Sequence, residues 1–89
     1  MLEDKLYKAL DETEHELNLI KIKSKNKKKE YRQIEKIRNN IKYVDDERVE
    51  TDKTKILEEI AELKVHEYKL KKILYRLNVC LSILNNEEN

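Results

Sequence analysis

Nine positions in the second half of the chain, Ile56, Ile60, Leu63, Glu67, Leu70, Leu74, Leu77, Leu81 and Leu84, alternate steps of four and three without a slip, and eight of them are Ile or Leu. Such steps return to one side of an α-helix, so the pattern predicts a helix over about 53–85 whose seam packs lengthwise on another helix. A second run with the same spacing, Leu6, Leu10, Thr13, Leu17, Ile20, Ser24, Lys27, Tyr31 and Ile34, predicts a helix over about 2–44. At its end the apolar phase shifts to Ile37, Ile41 and Val44. The middle of this first seam is weak. Ser24 and Lys27 fill consecutive seam positions inside Lys21 to Lys29, a stretch with six lysines in nine residues, where like charges on neighbouring turns repel and nothing is buried. The segment holds no strong breaker, so a continuous helix is expected, with Ser24 to Asn26 as its weakest point.

The stretch from Asp45 to Asp52 reads as a turn. Continuing the first seam through it would bury Asp45, Arg48 and Asp52, and five acids with one base crowd its eight residues. Thr51 or Asp52 is then placed to cap the second helix, with acids preceding it where its dipole favours them. The expected fold is all-α, a single domain over residues 1–89 in which two long, coiled-coil-like helices form an antiparallel hairpin. Matching Ile41 with Ile56 sets Ile34 opposite Leu63, Lys27 opposite Leu70, Ile20 opposite Leu77 and Thr13 opposite Leu84. In that register Leu2, Leu6, Tyr7 and Leu10 overhang the end of the second helix. The apolar face Leu70, Ile73, Leu74, Leu77, Cys80, Leu81 and Leu84 is then too wide for the first helix to cover. Soluble monomers rarely expose such a face, so the chain is expected to self-associate, most simply as a dimeric four-helix bundle, or to dock on a protein partner.

Composition narrows the choice of class. The chain has neither Gly nor Pro, where about ten together are usual at this length, so sharp turns, sheet bulges and phosphate-cradling loops lack their residues. Charged residues make up 44% of the sequence and hydrophobic ones 38%, a composition typical of long helices. Disorder would be the competing reading of so polar a chain, but disordered segments lack sustained apolar periodicity. No apolar run approaches the roughly twenty residues that span a bilayer, and the first residues carry Glu3 and Asp4 instead of a signal-peptide core, so a soluble cytoplasmic protein away from membranes is expected. A single cysteine, Cys80, excludes an internal disulfide.

Charge alternates in blocks along the chain: −4 over residues 1–20, +8 over 21–43, −5 over 44–62 and +4 over 63–86. In the register above, the basic run falls beside Lys64, Lys69, Lys71, Lys72 and Arg76. Two positive blocks at one level call for an anionic ligand or for the acidic block of a second chain. Candidate contacts to such a polyanion or partner are Lys21, Lys23, Lys25, Lys27, Lys28, Lys29 and Arg32 on the first helix. On the second they are Tyr68, Lys71, Lys72 and Tyr75, where rings interleave with cations at helical spacing and can stack on bases. A solvated lysine surface and half-buried tyrosines are the plain alternatives.

Chemistry is sparsely represented. Glu12 and His15 have the spacing of helical di-metal bundles, but His15 falls outside the seam, and Glu62 with His66 does not repeat the spacing, so no metal or other cofactor is expected. No histidine lies within helical reach of Cys80, and no nucleophile with its base can be assembled, so the chain is read as no enzyme. Glu67, the charge in the second seam, is expected to fix register or to meet Lys27 or a partner's lysine. The sequence thus predicts a non-catalytic helical interaction protein that self-associates and binds a protein partner. The alternative is a binder of nucleic acid or nucleoprotein, such as a small phage or mobile-element inhibitor of a nucleic-acid enzyme acting through its basic belt.

Overall fold

The computed structural model describes residues 1–40 and 46–88. Two helices account for them, α1 over Leu2–Asn40 and α2 over Asp46–Glu88, packed antiparallel. Ile41, Val44 and Asp45, assigned above to the first seam and to the turn, lie outside the described residues. At about 1.5 Å per residue the 43 residues of α2 reach about 65 Å, and the longest extent of the molecule is 69 Å. The helices therefore lie side by side along nearly their whole length.

Helix α1 runs without a break through Ser24 to Asn26. Glu3 and Asp4 occupy its first turn, where carboxylates favour the exposed amides. Its seam holds the predicted phase. Thr13, Leu17, Ile20 and Ser24 are buried, and Leu6, Leu10, Lys27, Tyr31 and Ile34 are half-buried. Two details differ from expectation. Ile37 is exposed, so no shift of phase brings it into the seam. Ser24 is buried, because a small side chain in a basic stretch still fits beneath a second helix once its charged neighbours point outward.

The larger correction concerns the expected turn at 45–52. Residues from Asp46 onward are helical, and Thr51 does not cap anything: its hydroxyl donates to the Glu47 carbonyl at 2.9 Å, as Thr54 does to Glu50 at 2.8 Å. The acids that looked disruptive stand at the start of α2, where its dipole favours them. The seam of α2 continues backward through Lys53 and Val49 in the same phase as Ile56 and Ile60, and Val49 is only 8% exposed.

Starting α2 earlier slides it along α1. Lys27 faces Glu59 where the predicted register placed Leu70, a displacement of eleven residues. Eleven residues make about three whole turns, so the same side of α2 still faces α1 and the seam residues are unchanged. Leu17 and Ile20 now pack on Leu70, with Leu63 and Leu74 beside them. Leu6 and Leu10 are partly sheltered and do not overhang. No helix of the described residues is long and apolar enough to cross a membrane.

Candidate interaction surfaces

The slide reverses the electrostatics expected at each level of the hairpin. The basic part of α1 lies along the acidic first half of α2, and the acidic start of α1 lies along the basic second half. Lys27 reaches Glu59 at 2.6 Å and Glu30 at 3.2 Å, Lys53 reaches Glu35 at 3.3 Å, and Glu16 stands 3.4 Å from Nε2 of His66. Two positive blocks do not share a level, so the alternating charge needs no second chain to neutralise it. Glu67 does not meet Lys27; it pairs with Lys71 one turn along at 3.4 Å.

At the weak middle of the seam, the adjacent Lys27 ammonium holds the Glu59 carboxyl below its ordinary range, and Glu59 together with Glu30 raises Lys27. Lys53 sits 5.2 Å from the centre of the Tyr31 ring; burial opposes its charge, and Glu35, Tyr31 and Glu50 more than offset that opposition. A carboxyl whose folded pKa is lowered contributes stability above its ordinary 4.5 and loses it as pH falls through the lower folded value. Glu59→Gln is therefore expected to lower the urea midpoint by a constant amount from neutral pH down to about 4.5. The gap should close on further acidification. A gap that stays constant far into acid would show that the pair with Lys27 does not stabilise the fold.

The two grooves beside the seam differ in sign. One, of about 1120 Å³, is open to solvent and lined by Lys23, Lys27, Glu30, Glu59, Glu62 and His66, a mixed set that largely neutralises itself. The groove on the opposite side is lined by Lys28, Tyr31, Arg32, Leu57, Ile60 and Lys64, with cations as its only charges. Lys21, Lys25, Lys28 and Arg32 follow one another at steps of four, three and four, so they form a single stripe along the basic side of α1. Leu57, Ala61, Lys64, Tyr68, Lys71 and Tyr75 form the facing stripe of α2 by the same spacing. Among the described residues no carboxylate lies within ion-pair distance of Lys21, Lys25, Lys28, Arg32 or Lys64. The belt read from sequence thus divides. Lys27 and Lys23 belong to the mixed groove, Lys29 lies on the outer side of α1, and the remaining four cations share a flank with Tyr68, Lys71 and Tyr75. Tyr68 and Tyr75 are exposed, and Lys72 lies 4.8 Å from the centre of the Tyr68 ring.

The predicted apolar face also divides. Leu70 and Leu81 are buried, and Leu74, Leu77 and Leu84 half-buried, in a hairpin whose second helix packs only on α1 of the same chain, whereas Ile73 and Cys80 are exposed. The face chosen from the sequence leaves out Val65, Val79 and Ile83, which are exposed with Tyr68 and Tyr75 on sides of α2 that α1 does not reach. The signal was present in the spacing: Ala61, Val65, Tyr68, Lys72, Tyr75 and Val79 alternate steps of four and three, a second stripe beside the first. Among the described residues no three His, Cys, Asp or Glu side chains come together as a metal site. Compared with models of protein families, with curated proteins and with solved structures, the chain matches none.

Proposed function

We propose that this chain is a non-catalytic helical interaction protein whose working surface is the part of α2, from Lys64 to Ile83, that α1 leaves uncovered. One observation carries the reading. Of the 22 residues from Leu63 to Leu84, thirteen are aliphatic, tyrosine or cysteine, and they extend well beyond the seam that faces α1. A helix with apolar residues on more than one side has more than one side to bury, yet α1 covers one and leaves Val65, Ile73, Val79 and Ile83 exposed. A docked protein would remove that exposure.

Cys80 lies on this surface and is exposed, so it reports contact directly. A cross-linker attached at Cys80 in cells producing the chain is expected to give discrete protein adducts. Those adducts should disappear when Val79 and Ile83 are both changed to Asp. Absence of adducts, with Cys80 alkylated as fast in cells as in buffer, would overturn the reading.

The second reading, contact with nucleic acid or nucleoprotein, is favoured by the flank on which Lys21, Lys25, Lys28, Arg32 and Lys64 stand without carboxylates beside exposed tyrosines. Five phosphate contacts to a single strand would make the affinity fall about a hundredfold between about 50 and about 200 mM salt. Docking through apolar residues would change far less over that range.

A further inference from the structure

We infer that the occupant of the outer stripe of α2 is a second copy of this chain, laid antiparallel on the first about a twofold axis at the level of Val65. The inference rests on the reading of α2 as a docking surface and names what docks there. The stripe Ala61, Val65, Tyr68, Lys72, Tyr75 and Val79 faces away from α1; Val65 is 55% exposed and Tyr75 71%. Continued toward the start of the helix, the same spacing runs through Glu58 and Thr54.

Charge selects the occupant and its direction. Along this outer side α2 changes sign at Val65. Before it stand Glu47, Glu50 and Glu58, which line one shallow groove together with Lys55. After it stand Lys69, Lys72 and Arg76. Glu58 and Lys72 are each seven residues, two turns, from Val65. An antiparallel copy centred there sets Lys72 of each chain against Glu58 of the other, twice in one interface, and brings Arg76 level with Thr54, between Glu50 and Glu58 of its mate. A parallel copy would oppose Lys72 with Lys72 and Glu58 with Glu58, which like-charge repulsion disfavours. At the axis Ala61 and Val65 are small, so the backbones can approach, and Tyr68 of one copy comes level with Ala61 and Glu62 of the other. The product is a bundle of four helices with the two α2 helices at its centre.

The test is sedimentation equilibrium at low salt on the full chain carrying Cys80→Ser, which removes disulfide artefacts. The parent is expected at twice 10.8 kDa. Val65→Asp, placing two carboxylates on the axis, should weaken association at least a hundredfold. Lys72→Glu alone and Glu58→Lys alone should each weaken it about tenfold, and the double reversal should restore it. All four positions are solvent-facing or half-exposed in the single chain, and circular dichroism should find each variant as helical as the parent. In an independent arm, Val65→Cys should oxidise to a symmetric covalent dimer. A mass of 10.8 kDa at every concentration would overturn the inference; so would a dimer indifferent to Val65→Asp, or reversals whose effects add without rescue. In those cases adducts of Cys80 with a different protein would leave the broader reading standing, and their absence would remove both.

Discussion

The pair Leu17→Cys and Leu70→Cys, made together with Cys80→Ser, is expected to close an intrachain disulfide on air oxidation and to stabilise the oxidised form by about 4 kcal/mol over the reduced form. Leu17 and Leu70 belong to one buried cluster, and a bridge between them ties residues far apart in sequence, so the entropy removed from the unfolded chain is large. The same experiment discriminates registers. Ile20→Cys with Leu77→Cys would be adjacent in the register that the seams alone suggest, and in the observed packing they are about three turns out of step. That pair should stay reduced, or yield only dimers between chains, since a disulfide needs Cα atoms within about 7 Å. Efficient intrachain closure of the second pair and none of the first would mean that α2 is displaced along α1 from the position described.

Leu70→Ala is expected to cost the hairpin about 3 kcal/mol, measured as a drop in urea midpoint at unchanged slope. Leu70 is 5% exposed and packs on Leu17 and Ile20, the latter 4% exposed, so its removal leaves a hole between two rigid helices that cannot close around it. Domains of this size rest on a net stability in the lower part of the usual range of roughly 5–15 kcal/mol, so the loss is a large fraction of the whole. Ile83→Ala offers the contrast. Its side chain is 53% exposed, and in a chain kept monomeric by Val65→Asp the change should stay within about 0.5 kcal/mol. Running both variants in that background keeps association out of the measured midpoint.

These two experiments probe the point at which sequence reasoning and packing part company. The identity of the seam was legible because its signal is local: a residue's side of the helix depends only on its spacing from its neighbours. Leu17, Ile20, Ile56, Ile60, Leu70 and Leu81 are buried where the spacing put them. The register was not legible, because a heptad-like seam looks nearly the same after a slide of eleven residues. The ambiguity was resolved in favour of a turn at the acid-rich stretch, since five acids look hostile to a helix. They are tolerated because they sit at the start of α2, and because Val49 and Lys53 carry the seam through them.

Misplacing the register had a functional consequence. It put cations against cations and left the last leucines bare, and both features seemed to demand a second molecule. With Lys27 on Glu59 and Leu70 on Leu17, the chain answers most of that demand itself. What remains uncovered is a different set of side chains, Val65, Tyr68, Tyr75, Val79 and Ile83, and a different set of cations, Lys21, Lys25, Lys28, Arg32 and Lys64.

The sequence by itself determined that this protein is two long helices with one continuous seam each, because the absence of Gly and Pro and the unbroken four-three spacing act on each helix separately. Only the tertiary structure decided which residues of one helix face which of the other. That choice depends on where α2 begins and on ion pairs between residues distant in sequence, such as Lys27 with Glu59 and Lys53 with Glu35, and neither leaves a mark on local periodicity. The surface left exposed follows from that choice, since α1 can shelter only the side of α2 against which it lies.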